Sequence, residues 1–425
     1  MFRIILIFIL LVLSLKDAIS SDKVTVITVN GGIGPAAAFY IKNGLDEAAK
    51  SKSGALIIRL NTPGGLLEST RDIASYILDS EIPVIVYVSP GGARAGSAGV
   101  FITLAGHIAA MAPGTNIGAA HPVGMDGSED KTVMGRKVEN DAAAFARTIA
   151  QKRKKNADWA ERAVRESISS TENEALENGV IDYIAKDLRQ LLNVCRGHEI
   201  LIGDNKVILD FKNSKIIMRD MNWKETFLTF ISNPNIAYLL ILIGVYGFFF
   251  ELKSPGSIFP GSIGGISLLL AAYALQMMPI NYVGLGLMIL ALVLFILEIF
   301  VISYGMLSIG GIIAFAIGSI MLIDSPLEFM RISMSLIITV SIITGILLAV
   351  IIYFGVKAQK EKNITGKFTI IGCTGTAMSS ILPGKTGKIL VQGEIWQAVS
   401  DEEINPNDNV YVLEVHSMLV KVKKV

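Results

Sequence analysis

Two glycine-rich stretches hold the residues of this chain that are suited to chemistry. They are Asn61-Thr62-Pro63-Gly64-Gly65 and Pro90–Gly99, and the second places a serine within Gly96-Ser97-Ala98-Gly99. The apolar residues that follow read as a helix over Ala98–Gly106, so Ser97 stands at a helix N-terminus. The free N–H groups and partial positive charge of such a terminus favour developing negative charge, as on the oxyanion of an acyl-transfer intermediate. A substrate backbone can approach this loop closely because almost no side chain projects from it. The same pattern fits a serine that merely caps its helix, and on these residues alone both readings stand. A glycine-rich loop can also hold phosphate, but the dinucleotide fingerprint and the Gly-Lys-Ser/Thr of a phosphate loop are both missing. His107, His121, His198 and His416 are scattered without metal-ligand spacing, and two cysteines, Cys195 and Cys373, can build neither a disulfide framework nor a cysteine metal site. No metal and no cofactor is expected.

The elements that position these loops alternate between strand and helix. Val24–Val29, Ala55–Leu60 and Val84–Val88 are β-branched strand segments, while Ala36–Lys50 and Leu66–Asp79 carry apolar residues at helical spacing. Such βαβ repetition predicts a parallel sheet with helices on both faces. Sites in these sheets lie at the carboxyl ends of the strands, which is where both glycine-rich stretches fall. The basic run Lys152–Lys155 reads as a solvated helix end.

The composition points to a membrane. Of 425 residues, 52% are hydrophobic and only 18% charged, with a mean hydropathy of +0.54. An ordinary soluble domain carries about 25% charge. The 38 basic and 37 acidic residues balance, which removes the basic surface a nucleic-acid binder needs. Arg3 and the apolar run Ile4–Leu15, followed by Ala18-Ile19-Ser20, predict a signal peptide over 1–20. Further on, long windows free of charge predict five spans, at 235–252, 258–278, 282–301, 305–323 and 333–356. Gly261, Gly264, Gly265, Gly310 and Gly311 allow these helices to pack closely. Glu298, near the end of the third span, reads as an interfacial residue rather than part of an ion path. Lys357, Lys360, Lys362 and Lys367 follow the last span and place that end in the cytoplasm. Five crossings then put residues 21–230 outside. The expectation is a multi-pass protein of the cell (inner) membrane, with membrane lipid as a partner. Residues 363–425 change character again, to short strands separated by turns, and suit a small five-stranded OB-like barrel.

Several motifs in order carry a resemblance. The strand ending in Asn61–Gly65 is followed about 30 residues later by Ala95–Gly99, then by Asn116–Val123 and Glu174–Asp182. The series resembles the ClpP and signal-peptide-peptidase fold. More specifically it resembles the long NfeD proteins, membrane-bound serine proteases encoded beside stomatins. Gly393-Glu394-Ile395-Trp396 is similar to the terminal NfeD domain. The resemblance implies a ClpP/crotonase-like α/β protease domain over 21–225, a transmembrane α-helical bundle over 235–356 and an all-β OB-fold domain over 363–425. It implies Ser97 as nucleophile, an oxyanion hole from the N–H groups of Gly65 and Ala98, and a substrate groove past Gly64, Leu66 and Phe101. The segment beginning at Lys137 matches the helix on which NfeD-type proteases carry a lysine, which makes Lys137 the base. A lysine ordinarily titrates near about 10.4 and must be desolvated for that role. Lys131 is a rival in the polar loop Asp126–Arg136. His121 is the alternative base. It occupies the place of the ClpP-like histidine, but its orienting acid would fall near Ala163, flanked by Glu161 and Glu166. The implied activity is serine endopeptidase cleavage of apolar segments in a stomatin-like membrane protein, by a homo-oligomer of at least two copies. The competing expectation is a non-catalytic membrane scaffold that organises stomatin-type assemblies.

Overall fold

The structure, a computed structural model, describes residues 18–20, 23–123, 132–253, 258–301, 303, 305–323, 325, 330–360 and 370–425. Most of the expected signal peptide and Lys131 lie outside them. Ala18–Ser20 forms a strand paired in parallel with Ile208–Asp210. The chain divides into two compact units, 1–345 and 346–425.

A six-stranded sheet organises the first unit. Its strands lie in the order Lys215–Met218, Lys23–Asn30, Leu56–Asn61, Val84–Val88, Ile108–Met111, Tyr183–Ile184, and every pairing is parallel. Parallel strands need crossovers that cover both faces, so their residues are apolar on both sides. All five residues of Val84–Val88 are buried. Ile58, Leu60, Val86 and Val88 join one apolar cluster with Ile41, Ile73 and Ile102 of the helices Pro35–Lys50, Leu67–Leu78 and Ala98–Ala105. Ile57, Ile85 and Tyr87 point into a second cluster with Leu191, Leu192 and Val207.

The basic run is a solvated helix end only in part, at the exposed Lys152 and Lys154. Lys155 is buried, and its Nζ lies 2.5 Å from Oδ2 of Asp182, which also accepts the Ala109 N–H at 2.7 Å. Burial pulls the Lys155 ammonium below its ordinary value, and Asp182 opposes that pull. Arg153 donates from Nε to the Ala105 carbonyl at 2.8 Å and from Nη2 to the Ile77 carbonyl at 3.1 Å. One guanidinium therefore caps the C-termini of two helices, including the helix that Ser97 opens. Burial lowers its pKa to about 10.

His107 sits nearby, 8% exposed, and its Nδ1 accepts the Val84 N–H at 3.2 Å. Burial, with Arg153 and Lys152 adding to it, lowers its pKa to about 3. The unfolded chain binds this proton below about pH 6.5 and the fold refuses it until about pH 3, so stability falls with pH across that window. The single group accounts for a loss of roughly 4 kcal/mol at the acid end. Thermal unfolding of the detergent-solubilised chain should show a midpoint that drops between pH 6.5 and 4, and a smaller drop in His107→Asn.

The segment leading to the membrane is clasped to this domain. Arg219 reaches Glu47 with Nε at 2.5 Å and Nη2 at 2.9 Å, and reaches Glu225 with Nη1 at 3.1 Å and Nη2 at 2.8 Å. The Glu225 side chain is fully buried and also accepts from Asn43 Nδ2 at 2.8 Å. Tyr40 donates its hydroxyl proton to the Arg219 carbonyl at 2.8 Å. Arg219→Ala strands Glu225 in the interior, which costs about 3–5 kcal/mol. Its thermal midpoint should fall clearly, and Arg219→Lys should recover only part, because an ammonium with three donors cannot reproduce the four hydrogen bonds the guanidinium makes to the two carboxylates.

Five apolar helices follow, Pro234–Lys253, Ile258–Leu275, Tyr282–Phe300, Met306–Met321 and Met334–Lys360. Pro234–Glu251 is long and apolar enough to cross a bilayer, while the apolar parts of the other four are shorter. Gly244, Gly247 and Gly264 let the first two helices touch: a Cβ on Gly247 would lie 2.5 Å from the Pro260 carbonyl oxygen, and one on Gly264 3.0 Å from that of Gly244. Gly284 and Gly318 do the same for the third and fourth. Of the glycines singled out from sequence, Gly265 and Gly310 have room to spare, with nearest atoms at 4.0 and 3.8 Å. Glu298 closes the turn after its helix. It accepts from the Ser303 hydroxyl at 2.8 Å and from the N–H groups of Gly305 at 3.1 Å and Ser308 at 2.8 Å. That is helix capping by a carboxylate.

In the second unit, Thr374–Ala377, Gly387–Val391, Glu394–Val399, Leu419–Lys424 and Asn409–His416 close, in that order, into a five-stranded barrel. Ile389, Val391, Ala398, Val410, Val412 and Val420 fill it, with Trp396 half-buried at its edge.

Candidate active site

Ser97 occupies the sharp turn between the short strand Arg94–Gly96 and the helix Ala98–Ala105. Its backbone has φ +47° and ψ −104°, a conformation that costs a residue with a Cβ about 1–3 kcal/mol. The surroundings hold it there. The Ser97 N–H donates to the Gly118 carbonyl at 3.1 Å, and the Ser97 carbonyl accepts from Val100 at 3.0 Å. The turn is possible because its neighbours lack side chains. A Cβ on Gly96 would lie 2.9 Å from the Pro63 carbonyl oxygen, and one on Gly99 would lie 2.9 Å from Thr62 Cγ2. The hydroxyl makes no capping bond to its helix. A serine that served only as a cap would make that bond.

The second glycine-rich loop runs directly past this serine. A Cβ on Gly64, whose φ is +137°, would lie 2.9 Å from Ser97 Cβ and 3.4 Å from its Oγ. Thr62, fully buried, locks the loop by donating from Oγ1 to the Gly64 carbonyl and accepting the Gly64 N–H, at 3.0 and 3.1 Å. The Ile33 N–H donates to the Gly64 carbonyl and the Leu66 N–H to the Ile33 carbonyl, both at 2.8 Å. This ladder uses the groups on either side of the Gly65 N–H and turns that N–H away from Ile33. A Cβ on Gly65 would lie 2.0 Å from the Ile33 oxygen, so no other residue fits. Among the described residues neither the Gly65 N–H nor the Ala98 N–H has an acceptor. One of these N–H groups belongs to the residue after Ser97, and the other to the residue after Gly64, which lies against Ser97.

A small sheet braces the site. Arg94–Gly96 pairs in parallel with Asn116–Gly118, which pairs antiparallel with Ser169–Thr171. His121 lies three residues past this sheet, and its Nδ1 is 2.9 Å from the Val164 carbonyl. A carbonyl only accepts, so Nδ1 is the donor in this bond, which in a neutral ring leaves the lone pair on Nε2. Among the described residues no carboxylate orients the ring. The Ala163 carbonyl takes the Ala120 N–H, Glu161 is engaged by Arg147 and Arg165, and Glu166 by Arg162.

Lys137 is exposed on the second turn of the helix Val133–Lys152, which Thr132 caps by accepting from Gly135 at 3.2 Å. Val133, Met134 and Val138 beside it are exposed as well. The far half of that helix packs on the serine helix, with Phe145 stacked on Phe101 at 5.8 Å between centroids. Phe101 is thus a core residue, 2% exposed, and not the groove residue expected from the sequence. Leu66 is half-buried at the start of its helix. The structure brings together Gly64, Gly65, Ser97 and Ala98, and records no contact between Ser97 and either His121 or Lys137. The locking role of Thr62 and the helix-capping role of Arg153 were not read from the sequence. Among the described residues no three His, Cys, Asp or Glu side chains gather as metal ligands.

Three family models match successive parts of the chain. Residues 23–196 match the NfeD1b N-terminal domain, 235–354 the NfeD integral membrane domain, and 369–424 the NfeD-like C-terminal, partner-binding domain. The chain is 32% identical to the membrane-bound protease PH1510 of Pyrococcus horikoshii, over 99% of its own length and 97% of that protein. It is 27% identical to membrane protein NfeD1b of Bacillus subtilis, over 99% and 97%. A solved structure of the membrane-bound stomatin-specific protease 1510-N, a lysine-to-alanine mutant in complex with a substrate peptide, is 33% identical. It covers 50% of this chain and 98% of its own, with a TM-score of 0.47.

Proposed function

The chain belongs to the NfeD family of membrane proteins, and from that premise we propose that it is a membrane-anchored, ClpP-like serine endopeptidase acting on a stomatin-like membrane protein. One observation carries the reading: a strained serine without a capping role lies against the Gly64–Gly65 loop, and among the described residues neither the Gly65 nor the Ala98 N–H has an acceptor. In this reading Ser97 attacks the scissile carbonyl. The N–H groups of Gly65 and Ala98 receive the oxyanion, donors each worth about 3–4 kcal/mol when aimed at that charge. Lys137 takes the serine proton and returns it to the leaving amine. Two points support it over His121: among the described residues no carboxylate orients the imidazole, and Lys137 stands on the helix packed against the serine helix. Exposed Val133, Met134 and Val138 suit an apolar peptide or a second copy of the chain, and either would strip water from the lysine. Leu66 and Leu67, half-buried and uncharged, suit apolar substrate segments.

The five apolar helices and the lysines after the last support a topology with the protease domain outside the cytoplasm and the barrel inside. The barrel's strand order supports the OB-type reading, and its family is described as partner-binding. The scaffold reading draws on the solvent exposure of Lys137. A fluorophosphonate probe separates the two, because it reacts only with an activated serine. Labelling of the full chain in detergent, lost in Ser97→Ala, is the expected result. A scaffold would stay unlabelled and leave apolar peptides intact.

A further inference from the structure

The short helix Trp223–Ile231 joins the protease domain to the first membrane helix and packs on both. It meets Pro35–Lys50 on one side and the helices Pro234–Lys253 and Ile258–Leu275 on the other. Its inner side is fixed by Glu225, held by Arg219 and Asn43. Its outer side is aromatic. Trp223 is 75% exposed, Phe227 41% and Phe230 57%. Spacings of four and three residues put them within roughly 60° of one another around the helix. The same level marks one end of the bundle. The Ser232 hydroxyl lies 3.3 Å from Met277 Sδ, the Ser333 N–H donates to Asn235 Oδ1 at 2.8 Å, and the Asn281 N–H to the Leu322 carbonyl at 2.9 Å. These turns are where the apolar helices stop. Tyr282, 76% exposed, begins the third helix at this end.

We propose that Trp223, Phe227 and Phe230 form an interfacial anchor, seated in the headgroup boundary of the bilayer. Through Arg219, Glu225 and Glu47 the anchor fixes the height of the protease domain above the membrane. Lipid is the occupant because the helix continues, after Ser232 and Asn233, into the NfeD integral membrane domain. Amphipathic helices in such positions bury their apolar face about 5–10 Å into the headgroup and acyl boundary, and tryptophan concentrates at that depth. The Lys224 ammonium, 5.6 Å from the Trp223 ring centroid, stands where lipid phosphates lie. The anchor itself requires only a membrane-spanning chain. Its effect on cleavage rests on the protease reading.

The full-length protein, reconstituted in phosphatidylcholine–phosphatidylglycerol vesicles with shallow-brominated acyl chains, tests the anchor by tryptophan fluorescence. A bromolipid-quenched component that disappears in Trp223→Phe is the expected result. Trp223 emission that resists bromolipid but is quenched by aqueous acrylamide overturns the proposal, as does cross-linking of Trp223 to a protein in place of lipid. In the same vesicles, Phe227→Ser/Phe230→Ser should slow cleavage of a membrane-embedded apolar segment at least about tenfold. Cleavage of the same peptide free in solution should change less than about twofold. Equal loss on both substrates overturns the height-setting role. If wild type cleaves neither, the protease reading fails while the quenching result still decides the anchor.

Discussion

Ser97→Ala should leave the fold intact and reduce cleavage of an apolar peptide by about 10⁴–10⁶-fold, to what binding and the oxyanion donors alone supply. Alanine keeps the Cβ and therefore the strained backbone, so its thermal midpoint should match that of wild type. Ser97→Gly should be equally inactive and more stable, by about 1 kcal/mol, because φ near +47° costs glycine nothing. Lost activity with gained stability is the mark of a residue whose strain serves catalysis. A serine that only packed or capped would lose stability in both variants. Peptide cleavage and thermal unfolding, run on the same three proteins, separate these cases. Full activity in Ser97→Ala would end the protease reading.

Lys137→Ala should lower kcat by about 10²–10⁴-fold, the usual contribution of a general base, with no change in stability because the side chain is exposed. His121→Ala should cost less activity and some stability, since it removes the bond to the Val164 carbonyl. The pH profiles give a second discriminator. An ammonium has no lone pair, so a lysine base makes the rate rise with pH into the alkaline range. An imidazole base completes its rise by about pH 7.5. A wild-type profile that levels off near neutrality, joined to an active Lys137→Ala, would move the base to His121.

Both predictions concern residues visible in the sequence, because what announces them is local. Composition along a few residues revealed the two glycine-rich loops, Ser97 at a helix start, the alternating strands and helices, the five apolar helices and the short strands of the barrel. Each of these depends on the chain's period or on side-chain size within one turn or strand. The relation of Ser97 to Gly64 is a different kind of fact. The two are 33 positions apart, and only the sheet order brings a loop after one strand against the loop after the next.

The misreadings fall where partners are distant. Lys155 looked solvated because its run is basic, yet Asp182, 27 residues on, draws it into the interior. Phe101 looked like groove surface because it follows the serine, yet Phe145 of another helix covers it. The clasp joining Arg219 to Glu47 spans 172 residues, and the tautomer of His121 depends on a backbone carbonyl 43 positions away. A sequence displays which side chains are available and the period at which they recur. It carries no record of burial, and burial decides whether a charge is paired, a ring is packed, or an N–H is left open for an oxyanion.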